Sequence, residues 1–259
     1  SAAFESGEYT PESTLPNPRT YTLPGTKTVI TNSGEGNCGG ARTVSIATAL
    51  KLSCNIPFAQ LGVALGQDRI AETAKAFGFG ESVTIPLKAT PSVYPTNLDN
   101  AQTALTSFGQ FDVRVTPLQM MMVTSAIANG GIEMQPYLVD QIFTANLTLL
   151  QKTEPAELRR AISTSTAEKV KSMMVKAVSS GVSSNARIPG VQVAGKTGTA
   201  QNGENDPYTL WFTGFAPAKN PEVAVTVLIE DGGGRGQSGR GNTLAAPIAK
   251  KVMQAVLNK

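Results

Sequence analysis

Two short polar motifs in this 259-residue sequence could act together as a chemical site: Lys196-Thr197-Gly198-Thr199 and Ser53-Cys54-Asn55. The first falls in Val191–Thr199, whose apolar pattern predicts a strand. Glycine inside a strand is costly unless another backbone comes close, and here a lysine and two hydroxyls flank it. That set suits a peptide bearing a carboxylate. Such a ligand would lie along the strand as an added strand, its terminal carboxylate facing Lys196, Thr197 and Thr199. The backbone N–H of Thr199 would then be placed to stabilise an oxyanion. The second motif sets a hydroxyl and a carboxamide two residues apart on a turn between helices. Read alone, the lysine motif is more often a turn on a solvated strand, and Ser53-Cys54-Asn55 is equally a helix cap. The pair of motifs gives the functional reading its weight.

Composition narrows the chemistry further. The sequence has no histidine, which removes the Ser-His-Asp triad, the Cys-His dyad and nearly every ordinary zinc site. Acid–base work falls to lysine, carboxylates, tyrosine or hydroxyls, and no metal or cofactor is implied. The 22 basic and 19 acidic residues give a net charge of +3 and form no run of like charge. Electrostatics therefore point neither to nucleic acid nor to a membrane surface as partner. The apolar stretch Ala47–Leu65 is interrupted by Lys51, Ser53 and Asn55, and Val223–Ile229 is too short to span a bilayer. No signal-peptide pattern opens the sequence, so an export signal or anchor is expected upstream of Ser1.

The elements that must position these motifs follow from periodicity and punctuation. Ser1–Glu5 reads as the tail of a helix stopped at Gly7. Gly7–Gly40 is rich in Pro, Gly, Thr and Asn and predicts loops and small strands. Ala41–Phe77 has the spacing of two or three helices, with Leu52–Pro57 as a turn between them. Thr116 followed by Pro117 opens a helix that stops at Gly130-Gly131. Ser165 with Glu168 reads as a capping box opening another. Val191–Thr199, Thr209–Ala216 and Val223–Glu230, separated by turn residues, predict an antiparallel meander. An amphipathic helix from about Leu244 to Leu257 closes the chain. The order predicts one domain of the α+β class, an α/β sandwich with an antiparallel sheet flanked by helices and without a doubly wound parallel sheet.

With both motifs in place, the sequence resembles the penicillin-recognising serine enzymes, which carry Ser-x-x-Lys, Ser-x-Asn and Lys-Thr-Gly in that order. Its longer matches look like class B penicillin-binding proteins: Ser53-Cys54-Asn55-Ile56-Pro57-Phe58-Ala59-Gln60-Leu61-Gly62, Ser107-Phe108-Gly109-Gln110, Thr116-Pro117-Leu118-Gln119, Ile127-Ala128-Asn129-Gly130-Gly131, Gly195 to Gln201 and Trp211 to Pro217. The resemblance covers nearly the whole chain. It implies a transpeptidase domain over residues 1–259, incomplete at its N-terminus, because no Ser is followed three residues later by Lys. The nucleophile and its lysine are expected shortly before Ser1, and the remainder upstream to supply an anchor, a pedestal domain and the first sheet strands. The resemblance further implies a place on the extracytoplasmic face of a bacterial membrane, with no membrane contact by this stretch itself. The implied partners are D-Ala-D-Ala stem peptides, β-lactams and the cell-wall synthesis machinery.

In that reading the upstream Ser forms an acyl-enzyme that a second stem's amine resolves. Ser53 relays a proton to the leaving amine, Lys196 polarises the Ser53 hydroxyl, and Asn55 orients the upstream lysine and binds an amide carbonyl. Thr197, Gly198 and Thr199 line the substrate. A D,D-carboxypeptidase of the same fold and a non-catalytic peptide or β-lactam sensor are the alternatives. No Glu-x-x-Leu-Asn pattern of a class A β-lactamase is present. Cys38 and Cys54 could close a loop of about 15 residues, worth on the order of 3 kcal/mol; two buried thiols are the alternative. Gly234-Arg235-Gly236-Gln237-Ser238-Gly239 matches the dinucleotide fingerprint, but no second parallel strand follows. It reads as a flexible connection near the cleft.

Overall fold

A computed structural model describes residues 1–34 and 36–258. In chain order the elements are α1 (Ala2–Glu5), β1 (Thr14–Pro16), β2 (Thr20–Thr22), β3 (Val29–Thr31), β4 (Thr43–Ser45), α2 (Ile46–Leu52), α3 (Asn55–Leu65), α4 (Gln67–Ala76), α5 (Asn100–Thr106) and α6 (Pro117–Ala128). Then follow β5 (Ile132–Met134), β6 (Gln141–Phe143), β7 (Leu149–Lys152), β8 (Glu157–Arg160), α7 (Thr164–Ser180), β9 (Ala194–Ala200), β10 (Thr209–Ala216), β11 (Val223–Ile229) and α8 (Gly241–Leu257).

The last three strands form an antiparallel sheet in the order β11-β10-β9, so β9, which carries the lysine motif, is an edge strand among the described residues. Alternation of side chains divides the core between its two faces. Ala194, Phe215 and Ala224 share a rung and pack with Ile46, Leu61, Ala126, Val170 and Met173 of α2, α3, α6 and α7. On the other face Phe212, Ala216 and Val225 meet Ala245, Ala246, Ala249 and Met253 of α8. This helix–sheet–helix layering is the expected α+β sandwich. The Lys196 rung is tied to the helical layer by hydroxyls: Thr213, opposite Lys196, bonds Thr226 at 2.8 Å and Thr124 of α6. Smaller two-stranded sheets, β1-β4, β2-β3, β5-β8 and β6-β7, decorate the periphery. Among the described residues no helix is long and apolar enough to cross a membrane.

Several boundaries differ from the sequence expectation. The turn predicted over Leu52–Pro57 is only Ser53-Cys54, because Pro57 sits in the first turn of α3, where its missing N–H costs nothing. The cap of α7 is Ser163, whose hydroxyl accepts the Thr166 N–H at 3.2 Å; Ser165 lies inside the helix and Glu168 pairs with Lys171 instead. β9 starts at Ala194 because Val191 turns back to bridge Ile188. α8 starts at Gly241, three residues before its amphipathic pattern. The Gly234–Gly239 connection, predicted as flexible, is hydrogen-bonded to the chain before β10: Gln237 Nε2 donates to the carbonyls of Glu204 and Asp206 at 2.7 and 3.1 Å, and the Gly236 carbonyl accepts the Tyr208 N–H at 3.4 Å.

Candidate active site

The two motifs, 143 residues apart, meet. Lys196 Nζ donates to Ser53 Oγ at 2.7 Å and to the carbonyl of Thr197 at 2.7 Å. Enclosure of the ammonium disfavours its charge and lowers its pKa to about 8. Lys196 makes no ion pair among the described residues. A protonated lysine against a neutral hydroxyl can polarise that hydroxyl and resupply a proton it gives away, near physiological pH.

Ser53 reaches this place through an unusual backbone. It ends α2 in the left-handed region, φ 57° and ψ 51°, while Cys54 N–H closes back on the Ala49 carbonyl at 2.9 Å. Glycine normally fills such a cap, and a side chain there costs about 1–3 kcal/mol, a strain that clusters at functional sites. The following residue anchors the turn, since Cys54 is joined by a disulfide to Cys38, with Cα atoms 5.7 Å apart.

Cys54 makes no side-chain cap for α3, and a distant asparagine supplies one. Asn32 Oδ1 accepts the Ile56 N–H at 3.0 Å. Buried Asn17 holds the other arm of the disulfide: its Nδ2 donates to the carbonyls of Cys38 and Ala41 at 2.8 and 2.7 Å, and its Oδ1 accepts the Cys38 N–H at 3.1 Å. Asn55 begins α3 and donates from Nδ2 to the Thr31 carbonyl at 3.1 Å. Its amide group therefore borders the same turn, but it makes no hydrogen bond to Ser53 or Lys196. Asn17 and Asn32 escape sequence reading, because an asparagine in a Pro/Gly/Asn-rich stretch looks like a loop residue until its distant partners are known.

Along β9, Thr197 N–H donates to Ser183 Oγ at 3.1 Å and Gln201 N–H to Gln110 Oε1 at 3.4 Å. Both partners lie outside the sheet. Alternation therefore directs the Thr199 N–H, between them, to the same open edge. A Cβ on Gly198 would meet only side chain, the Trp211 Cβ at 3.2 Å; it is Gly241, the first residue of α8, whose Cβ would crowd backbone, 2.6 Å from the Gly198 carbonyl oxygen. A cleft of about 960 Å³ between α7 and α8, bordered by Val178, Arg187 and Lys250, lies away from this chemistry, and no motif residue lines it.

An enclosed lysine touching a turn hydroxyl, beside a strand edge with an outward N–H, is the layout of a serine acyltransferase, and the chain belongs to the penicillin binding protein transpeptidase domain family, which matches residues 1–254. Peptidoglycan D,D-transpeptidase PbpA of Mycolicibacterium smegmatis is 39% identical over 262 aligned residues, covering 100% of this chain and 53% of that protein. A solved structure of penicillin-binding protein A from M. tuberculosis, a ceftriaxone acyl-enzyme complex, superposes with a TM-score of 0.94 at 39% identity, over 99% of this chain and 58% of the other. The D,D-transpeptidase domain of a peptidoglycan glycosyltransferase from Eggerthella lenta gives 0.86 at 32% identity, over 99% and 61%. The chain thus spans about half the length of the curated relatives it matches.

Proposed function

We propose that this chain supplies the Ser-x-Asn and Lys-Thr-Gly parts of a D,D-transpeptidase site that cross-links peptidoglycan stem peptides, completed by a Ser-x-x-Lys segment preceding Ser1. The 2.7 Å contact between Lys196 and Ser53 carries the reading. The upstream serine gives its proton to the upstream lysine and adds to the carbonyl of the penultimate D-alanine while the Thr199 N–H receives the developing oxyanion. The peptide bond to the terminal D-alanine breaks as the ester forms, and Ser53 gives its proton to the leaving amine and regains one from Lys196. The amine of a second stem then displaces the enzyme's serine. Asn55 binds the donor's amide carbonyl and orients the upstream lysine, while Thr197 and Thr199 receive the terminal carboxylate along β9. A β-lactam enters as the donor and stops at the ester.

The disulfide supports an oxidising place on the outer side of a cell membrane, where cell-wall synthesis enzymes are the expected partners. The test is covalent labelling of the full-length protein with a fluorescent penicillin. A stable adduct lost on replacing the upstream serine is expected, whereas a protein that binds penicillin without forming an adduct is a sensor. Transfer of a thioester donor to an added D-amino acid, in preference to water, separates transpeptidation from carboxypeptidation.

A further inference from the structure

A buried serine that belongs to neither motif touches the substrate strand. Ser183 lies in the loop after α7 and is 0% exposed. Its Oγ accepts the Thr197 N–H at 3.1 Å and donates toward Thr197 Oγ1 at 3.4 Å. The loop is fixed independently of that contact, with Ser183 N–H donating to the Ala177 carbonyl at 3.0 Å and Val182 N–H to the Lys51 carbonyl at 3.1 Å. Contact with Lys51 is so close that a Cβ on Gly181 would sit 2.3 Å from its carbonyl oxygen, two residues before Ser53. One short loop thus braces the end of α2 and the Thr197 position of β9 together.

The edge of β9 is consequently occupied at Thr197 and open at Thr199. An extended donor cannot use the Thr197 N–H, so its main-chain pairing begins at Thr199 and its carboxylate meets Thr197 through the hydroxyl alone. We propose that Ser183 is a positioning residue that sets this register and aims the Thr197 hydroxyl at the donor's carboxylate. The inference rests on the acyltransferase reading above and deepens it, because it names a determinant of carboxylate recognition in the same site.

The experiment compares two donors in the full-length protein: a thioester ending in a free carboxylate, and its methyl ester. Ser183→Ala should slow acylation by the carboxylate donor about tenfold, the scale of one hydrogen bond. It should leave the methyl ester, already slow, within about twofold. Ser183→Thr, which keeps the hydroxyl, should restore the carboxylate preference, and Ser183→Cys, nearly the same size, should reproduce the loss without leaving a cavity. Should Ser183→Ala fail to fold, the Cys variant gives the same comparison. Equal slowing of both donors, or no slowing of the carboxylate donor, in a labelled protein overturns this inference alone. A wild-type protein that takes no penicillin label overturns the acyltransferase reading and this inference with it.

Discussion

Lys196 and Glu133 are both ionisable groups whose surroundings favour the neutral form, and the contrast between those surroundings separates the region proposed as reactive from a bracing one. Glu133, on β5, is 1% exposed, and burial raises its pKa to about 7 against the attraction of Arg159. Arg159 lies 3.0 Å away through Nε and reaches Glu81 at 2.8 Å through Nη2, so one guanidinium ties β5 and β8 to the loop after α4. There the charge is answered by an opposite charge. At Lys196 it is met by a hydroxyl and a carbonyl, neither of which neutralises the ammonium. A neutralised buried ion holds structure, whereas one solvated only by neutral donors and acceptors keeps its capacity for chemistry.

That contrast can be broken most sharply at the lysine. Lys196→Ala should slow penicillin labelling of the full-length protein by about 10²–10³-fold, the range for losing one electrostatic group in a transition state, with little change in the urea midpoint. A large loss of stability with unchanged labelling would reverse the two assignments. Arg159→Ala should do the opposite, destabilising by about 3 kcal/mol because Glu133 is left buried without its partner; the folded fraction should label at the wild-type rate. Titration sharpens the picture further. In the proposed mechanism protonated Lys196, whose pKa is lowered to about 8, polarises Ser53, so labelling should fall about tenfold between pH 7 and 9. Lys196→Arg, slower throughout, should lack this alkaline limb.

The smallest effect belongs to Glu133→Gln. The folded pKa of Glu133 is raised from 4.5 to about 7, so the stability it contributes is full below pH 4.5 and is lost as pH rises through 7. The glutamine variant should match the wild type near pH 4.5 and exceed it increasingly as the pH rises toward 8, measured by thermal unfolding at each pH. A gap that shrinks with rising pH would sink the assignment.

Sequence reading works where a signal is local. Thr116-Pro117 marks the start of α6 because the hydroxyl and the proline both act within one turn, and Thr116 does accept the Gln119 N–H. The three late strands are legible from short apolar runs between Asn-Gly and Asn-Pro turns. Ser165 misleads because Ser163, Ser165 and the threonines between and after them all offer a hydroxyl near the same helix start, and tertiary contact decides: Ser163 is also held by Glu5 at 2.7 Å. The α5 helix goes unread although Asp99 and Gln102 form a reciprocal capping box there, since its seven residues are too few to establish a period. Ser53, Asn55 and Lys196 stand out in the sequence by type and order, and the structure sets Lys196 against Ser53. Ser183, Asn17 and Asn32 do not stand out, because each acts on residues 14 to 24 positions away through contacts that leave no spacing to recognise.

The left-handed turn at Ser53 also limits how this region could be repaired or improved. Glycine would relieve the torsion and make the helix end more robust, yet it deletes the oxygen that Lys196 grips. Threonine would keep that oxygen but add a branch to a backbone already in a region that branched residues avoid. Engineering for heat tolerance therefore has to work elsewhere in the chain, since at this position thermostability and reactivity pull on the same atom.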